Sequence, residues 1–256
     1  MSLFDKIKSG FQNFINSTEK SFESSPCDIC GKQLSFYEKI HLADGFCCSS
    51  CHAEASRYFV LKHKKQKPTV ALFKEHLQDR HENRKLLDSF TPTRIIGDHT
   101  KVIIDEDKFQ FLIYCSKDHR SKSYAEANVD VFSCSSIVNC TTDIEEIRTE
   151  ISKQNSNGAG GIPFYRYTYD FYIKIDMNHS YAETIRVKLN PDIIDSIGTV
   201  YRKYEQIGRD ICEALSTNRN TSREAAHSQK QITICPWCGT KLSHNIGKCE
   251  QCGGTL

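Results

Sequence analysis

The chain has 256 residues, and its 34 Lys and Arg nearly balance 32 Asp and Glu. This balance excludes a global electrostatic attraction to nucleic acid, and the composition, 38% hydrophobic and 26% charged, is ordinary for a soluble globular protein. No apolar run of membrane-spanning length and no secretory signal is visible, so we expect a cytoplasmic protein. Its 13 cysteines are then expected to be reduced and available to bind metal.

Residues 1–22 are predicted to form an amphipathic helix. Its apolar stripe consists of Leu3, Phe4, Ile7, Phe11, Phe14 and Ile15. The polar face carries only Lys6 and Lys8 against Asp5, which is a weak attraction to anionic lipid. Two interpretations stay open: the helix docks on the protein's own body or on a second copy, or it lies on a membrane surface. In either case the expected contact residues are Phe4, Ile7, Phe11 and Phe14.

Eight cysteines fall into two sets of four. The first set has the spacing C-x2-C-x17-C-x2-C and consists of Cys27, Cys30, Cys48 and Cys51. The second set has the spacing C-x2-C-x10-C-x2-C and consists of Cys235, Cys238, Cys249 and Cys252. Zinc takes four soft ligands in a tetrahedron, and each C-x2-C turn places two sulfurs together. We therefore predict two structural zinc ions, in zinc ribbons over residues 23–56 and 232–256.

Glycine follows the second cysteine in three of the four pairs, at Gly31, Gly239 and Gly253. Glycine accepts positive φ, so the backbone can curl toward the sulfur. In the remaining pair, Cys47 or His52 is an alternative ligand, but Cys48 completes a C-x2-C turn and is the predicted one. A thioredoxin-like redox pair would need a surrounding βαβ pattern, which the sequence does not show.

The other five cysteines are predicted to pack as small apolar side chains. They are Cys47, Cys115, Cys134, Cys140 and Cys212. The alternative is a third metal site, and its ligands would be Cys115, His119, Cys134 and Cys140. Their spacing matches no zinc knuckle, so packing is the preferred interpretation.

Residues 57–92 are predicted as a charged helical connector. The connector begins with a basic run that contains no acid and consists of Arg57, Lys62, Lys64, Lys65 and Lys67. Such a run is compatible with a solvated face or with contacts to phosphate. Pro68 and Thr69 then predict a helix that reaches about Ser89.

From residue 93 the apolar period changes to two, which predicts strands. The expected strands are Val102–Ile104, Phe109–Cys115, Val129–Ser133, Ile137–Thr141, Phe164–Met177 and a hairpin partner at Ile185–Leu189. The third and fourth of these are expected to pair with each other. Residues 152–162 are a glycine-rich loop that lacks the Gly-Lys-Ser/Thr of a phosphate-binding loop. A helix is expected from about Pro191, and the polar residues 217–231 are expected to form a linker.

Two stretches near the amino terminus resemble a known family. They read Cys27-x2-Cys30-Gly31-Lys32 and Lys39-Ile40-x-Leu42-x-Asp44-Gly45-x2-Cys48-x2-Cys51. Together they resemble the bacterial domain-of-unknown-function family 4428, which is described as a zinc ribbon. Shorter similarities follow at Phe90-x-Pro92-Thr93, Ile104-Asp105-Glu106-Asp107, Tyr169-Asp170-Phe171 and Lys188-Leu189-Asn190. The resemblance implies zinc and this order of modules, and it implies no enzymatic activity.

The predicted fold class is α+β and multidomain, with two four-cysteine zinc ribbons flanking a β-barrel over residues 93–216. The barrel and its C-terminal helix resemble pleckstrin-homology-like (PH-like) and GRAM-like domains, in which the helix plugs one open end of a bent sheet. This resemblance concerns the fold, and such barrels bind lipids, peptides or no known ligand.

We expect a non-enzymatic scaffold or adaptor whose partner is a protein. Closed zinc sites leave no position for a substrate, and neither a Walker loop nor an H-E-x-x-H motif is present. One alternative is a peripheral membrane protein that uses the N-terminal helix and the PH-like barrel. Another is a nucleic-acid-binding protein that uses the ribbons and the basic run. A homo-oligomer through the N-terminal helix is a further possibility.

Overall fold

The computed structural model describes residues 25–115, 120–121, 123–151, 164–195, 197–230, 233–242, 247–249 and 251–255. The chain divides into two compact units, Met1–Asp88 and Ser89–Leu256. Both units mix helices and strands, which confirms the α+β class. The predicted N-terminal helix, with Phe4, Ile7, Phe11 and Phe14, and the glycine-rich loop over residues 152–162 lie outside the described residues.

From residue 25 onward, the first unit contains two short hairpins, a 3-10 turn at Phe36–Glu38 and three α-helices. Its elements are β1 (Ser25–Pro26), β2 (Gln33–Leu34), β3 (Ile40–His41), β4 (Phe46–Cys47), α1 (Ser49–Glu54), α2 (Arg57–Lys62) and α3 (Val70–Ser89). β1 pairs with β2 and β3 pairs with β4, both antiparallel. The helix predicted to follow Pro68 is confirmed as α3, and the Thr69 hydroxyl accepts the Leu72 N–H at 3.2 Å.

A buried histidine joins α2 to α3. His76 is 2% exposed, and its ring stacks on Phe59 with the ring centres 3.9 Å apart. Its Nε2 accepts the backbone N–H of Ser56 at 2.9 Å. The imidazole thus provides a hydrogen-bond acceptor for a buried backbone group at the start of α2. His76 therefore has a structural role in the interior of this unit.

The described residues of the second unit form two larger antiparallel sheets, and in each of them strands that are consecutive in the chain are neighbours. The four-stranded sheet consists of β5 (Arg94–Ile96), β6 (Lys101–Asp105), β7 (Gln110–Tyr114) and β8 (Val131–Ser133). The three-stranded sheet consists of β9 (Ile137–Ile151), β10 (Phe164–Met177) and β11 (Thr184–Lys188). The described strands do not close into one barrel. Helix α4 (Thr199–Lys230) and a hairpin of β12 (Thr233–Ile234) and β13 (Lys241–Leu242) complete the unit.

Each predicted strand is present, but β9 continues ten residues beyond the predicted end at Thr141, β5 is not among the predicted strands, and one predicted pairing is wrong. The long strand at Phe164–Met177 is confirmed, and it pairs with β11 as expected. However, the strands predicted at Val129–Ser133 and Ile137–Thr141 do not pair with each other, because β8 completes the first sheet and β9 runs to Ile151 alongside β10. Cys134–Ser136 form a 3-10 turn between β8 and β9, so the chain passes from the first sheet to the second within three residues.

Helix α4 starts later and ends later than the sequence predicts. The predicted start near Pro191 is wrong, because Ile194 instead forms a β-bridge with Tyr169 and the helix begins at Thr199. Residues 217–230, predicted as a linker, are helical. Here Arg219 Nη1 donates to the Val138 carbonyl at 2.8 Å, so tertiary hydrogen bonds hold a segment that has little apolar surface.

Helix α4 contacts both sheets of the second unit. Gly208 faces β9, where a Cβ atom would lie 2.5 Å from the Thr142 hydroxyl, so the absence of a side chain permits this close approach. At its amino-terminal end, Lys203 Nζ lies 2.5 Å from a carboxylate oxygen of Asp98, in the loop between β5 and β6. The apolar residues Ile211, Ala214 and Leu215 are almost fully buried. The helix thus forms one wall of the core.

Candidate metal centres

The structure brings the first set of cysteines together. The sulfurs of Cys27, Cys30, Cys48 and Cys51 all lie within 4.8 Å of one another. Cys27 Sγ is 4.0 Å from Cys51 Sγ, and Cys30 Sγ is 3.8 Å from Cys48 Sγ. A tetrahedral zinc ion with Zn–S bonds of about 2.3 Å requires sulfurs about 3.8 Å apart, whereas a disulfide needs about 2.05 Å. The separations fit four ligands of one metal ion.

The second set of cysteines forms a matching cluster. The sulfurs of Cys235, Cys238, Cys249 and Cys252 also lie within 4.8 Å of one another. The separations are 3.6 Å for Cys235 with Cys252 and 3.6 Å for Cys238 with Cys249. The chain therefore carries two four-cysteine clusters that could hold metal ions, and their geometry is consistent with zinc.

Three of the four C-x2-C turns have the same backbone geometry. Their glycines, Gly31, Gly239 and Gly253, have φ of +76°, +73° and +71°. Each glycine N–H donates to the carbonyl of the first cysteine of its turn, at 2.8, 2.9 and 2.7 Å. Because this region of φ is costly for residues with a Cβ atom, the glycines explain why the chain can form these knuckles.

The fourth turn, Cys48 to Cys51, has a different structure, which corrects the prediction of an N-terminal ribbon with two knuckles. Cys48 is the N-cap of helix α1, and its sulfur accepts the Cys51 N–H at 3.4 Å. Here His52 occupies the position of the missing glycine, and it continues the helix. The first cluster thus joins one knuckle to the first turn of a helix.

The alternative ligands are not part of the first cluster. Cys47 is buried outside it, and burial raises the pKa of its thiol to about 11, which favours the neutral form. The ring of His52 stacks near Phe73, with centres 6.4 Å apart. The structure therefore groups Cys48 and Cys51 with the knuckle, as the spacing predicts.

Hydrogen bonds lower the pKa of a cysteine in each cluster, Cys27 and Cys238, whereas burial raises the pKa of Cys51. Burial raises the pKa of Cys27, but backbone N–H groups, including that of Cys48 at 3.3 Å, outweigh burial and lower this pKa to about 7. In the second cluster, Thr240, whose hydroxyl lies 3.2 Å from the Cys238 sulfur, lowers the pKa of that thiol to about 6. Zinc binds the thiolate form, so these donors suit metal ligands.

The remaining cysteines form no third metal cluster within the described residues. Cys134 is fully buried, and burial raises its pKa to about 12, as expected of an inert packing residue. His119 lies outside the described residues. Cys140 on β9 and Cys212 on α4 are half-buried and face each other, with their sulfurs 3.2 Å apart. The sequence gives no signal of this pair, because the two residues are 72 positions apart.

The basic residues predicted to contact phosphate lie on helix α2 and on the segment that follows it. Arg57 and Lys62 lie at opposite ends of helix α2. Lys64 and Lys67 follow that helix and line a cavity of the first unit, whereas Lys65 is exposed and does not line it. Two lysines of the basic run therefore line the cavity, and its other three cations do not. Periodicity alone could not predict this division.

The comparisons with known proteins concern the first cluster. Residues 26–76 match a family model described as Domain of unknown function (DUF4428). This match confirms the resemblance predicted for the N-terminal motifs, and it covers the first four-cysteine cluster with helices α1 and α2. It ends at residue 76, so it gives no support to the shorter similarities after Phe90. No curated protein and no solved structure matches the chain.

Among the helices that the structure describes, none is long and apolar enough to cross a membrane.

Proposed function

We propose that this protein is a non-enzymatic adaptor, stabilised by two zinc ions, that binds a partner protein. The observation that carries the proposal is the composition of both clusters: each supplies four cysteine sulfurs. Four thiolates fill all four positions of a tetrahedral zinc ion, so no position remains for water or substrate. Zinc in such a site contributes folding free energy, on the order of 10 kcal/mol, rather than Lewis-acid chemistry.

The middle of the chain supports a PH-like interpretation. An antiparallel four-stranded sheet is followed by an antiparallel three-stranded sheet and then by helix α4. Helix α4 contacts both sheets, through Lys203 to Asp98 beside the first and through Gly208 to Thr142 in the second. These features match the order of parts in a PH-like domain.

The metal assignment is tested by quantifying zinc in the purified full-length chain. We expect about two zinc ions per chain and, after exchange with Co²⁺, a spectrum typical of tetrahedral thiolate coordination. A zinc content near zero, or a metal site with bound water, would contradict the closed structural sites on which the proposal rests.

The adaptor role is tested by affinity purification followed by reconstitution. We expect a partner protein that re-forms a stoichiometric complex from purified components, while the chain neither pellets with anionic vesicles nor shifts an oligonucleotide at ~50 mM salt, where phosphate contacts are strongest. Pelleting or a shift without a protein complex would favour the membrane or nucleic-acid alternative. Turnover abolished by one non-cysteine substitution would exclude a non-enzymatic protein.

A further inference from the structure

A cavity of about 200 Å³ lies in the first unit, beside the first four-cysteine cluster. Its lining residues are Ile40, His41, Leu42, His52, Phe59, Val60, His63, Lys64, Lys67, Pro68 and Phe73. The floor is apolar, because Leu42, Phe59 and Phe73 are all less than 9% exposed. The volume is below the roughly 300 Å³ of sites for whole small-molecule ligands, and it suits one large apolar side chain.

The charge around the cavity has one sign. Its lining includes two lysines and three histidines and contains no carboxylate. Lys64 and Lys67 are exposed, and their ammonium groups make no ion pair within the described residues. Two acidic residues of the same unit, Asp44 and Asp28, instead accept the backbone N–H groups of Val70 and Phe46, both at 2.7 Å. An apolar floor with a cationic mouth complements a ligand that is apolar and anionic.

We infer that this cavity binds an acidic peptide segment of a partner protein. An apolar side chain of the peptide enters the cavity and packs against Phe59 and Phe73, and flanking carboxylates lie against Lys64 and Lys67. A free phosphate or a nucleic-acid backbone would satisfy the lysines and leave the apolar floor unfilled, so a peptide fits the cavity better. The inference rests on the proposed adaptor function and names the class of partner segment.

The inference is tested by fluorescence anisotropy with the zinc-loaded full-length chain and three labelled peptides. The first peptide carries a central Phe flanked by Glu residues, the second has Ala in place of Phe, and the third has Gln in place of Glu. We expect measurable binding of the first peptide and at least ten-fold weaker binding of the other two, because each lacks one of the two complementary features.

Variants of the chain locate the site. Reversing both charges, Lys64→Glu with Lys67→Glu, is expected to weaken binding of the first peptide by about ten-fold or more. Lys65→Glu reverses one charge on the same segment outside the cavity, half the charge change of the double variant, and is expected to weaken binding by less than about two-fold. Val60→Trp fills the cavity and is expected to abolish binding. Zinc content and thermal unfolding of each variant establish that it is folded.

Each outcome decides between the proposals. Equal binding of the Phe and Ala peptides, or equal effects of the Lys64/Lys67 and Lys65 changes, overturns the cavity as the peptide site. Binding of inorganic phosphate, an oligonucleotide or anionic vesicles that Lys64→Glu with Lys67→Glu removes, in the absence of peptide binding, also overturns it. If a purified partner still forms its complex with the Lys64/Lys67 variant, the adaptor function stands and only the cavity assignment fails.

A second inference comes independently from Cys140 and Cys212. Their sulfurs are 3.2 Å apart, and both residues are half-buried, so neither is sealed in the core. They join β9 to helix α4, next to the close approach of Gly208 and Thr142. Neither residue belongs to a four-cysteine cluster. The pair therefore has the placement of a disulfide between strand and helix while both thiols are free.

We propose that Cys140 and Cys212 form a reversible disulfide by exchange with a low-molecular-weight disulfide such as glutathione disulfide. One protein thiolate attacks a sulfur of the oxidant, and one glutathione thiolate leaves. The second protein thiolate then attacks the mixed disulfide, and the second glutathione leaves. Two protein thiols lose two protons and two electrons in all, and the oxidant is reduced to two thiols. The bond would tie α4 to the second sheet.

Peptide mass spectrometry after exposure of the zinc-loaded chain to glutathione disulfide tests this pair. We expect a cross-linked peptide that contains Cys140 and Cys212, no loss of zinc, reversal by reduced glutathione and a raised unfolding temperature. Cys212→Ser should abolish the cross-link, and the buried Cys134→Ser should retain it. If cross-links involve only the metal ligands, with release of zinc, or if both thiols stay reduced, the pair is not a redox site.

Discussion

Replacing Cys48 by serine is expected to remove the metal ion from the first cluster, whereas replacing its neighbour Cys47 is not. Cys48 supplies one of four sulfurs in the cluster and also caps helix α1. A serine hydroxyl is a poor zinc ligand at neutral pH, and structural zinc contributes on the order of 10 kcal/mol to folding of small modules. We expect zinc to fall from about two to about one per chain, with local unfolding around residues 25–62.

Cys47→Ser is the matched control, since the substitution is chemically identical and one position away. Cys47 is fully buried, so a hydroxyl there should cost about 1–3 kcal/mol while leaving both metal ions bound. Metal content, together with limited proteolysis of both variants, separates these outcomes. If Cys47→Ser loses zinc and Cys48→Ser keeps it, the ligand assignment is wrong. If both variants lose it, the prediction that Cys47 has no part in metal binding is wrong.

The sequence predicted the metal clusters well because their chemistry is local. Two cysteines three positions apart are brought together by a single turn, so the eight cysteines of the two clusters could be recognised without the fold. The conformation of each turn was also encoded locally: glycine follows Cys30, Cys238 and Cys252, and it is absent after Cys51. That absence is a signal for the helical turn at Cys48–Cys51, which the spacing of the cysteines alone does not reveal.

The sequence predicted tertiary relationships less well, because they depend on packing. Strands β8 and β9 look like a hairpin in sequence, yet their hydrogen bonds go to different sheets. Likewise, the polar composition after Leu215 indicates a linker, but Arg219 and Arg223 donate to carbonyls near β9 and extend the helix. The cationic cavity mouth and the facing Cys140 and Cys212 arise in the same way, from residues that only the fold brings together.

Asp105 is a buried carboxylate of the second unit whose charge is predicted to stabilise the folded protein. Its side chain is fully buried, and its two oxygens accept the backbone N–H groups of Thr91 at 2.9 Å and Lys108 at 3.1 Å. The ammonium group of Lys108 lies 3.5 Å from the carboxylate and also donates to the Ser89 carbonyl. The carboxylate thus connects the turn after β6 to the segment that precedes β5.

Asp105→Ala would leave two backbone N–H groups without their partner, so we expect the free energy of unfolding to fall by about 3 kcal/mol at pH 7. Asp107→Ala is the control: it lies in the same turn and is exposed, so its effect should be within about 0.5 kcal/mol. Urea unfolding followed by circular dichroism measures both values. Equal losses for the two variants would show that the buried carboxylate contributes nothing beyond the turn itself.

The pH dependence of the same difference gives an independent test. Burial raises the pKa of Asp105, but the N–H donors and Lys108 outweigh burial and lower it below the ordinary value. The folded protein then binds this proton less readily than the unfolded chain, so the charge contributes its full stabilisation above the unfolded pKa of about 3.9. The contribution is lost as the pH falls through the folded pKa.

Asp105→Asn should therefore be less stable than the natural chain at pH 7, and the difference should shrink on acidification below about pH 4. Release of zinc at low pH affects both proteins alike, so a difference that stays constant with pH, or grows on acidification, would contradict this role for Asp105.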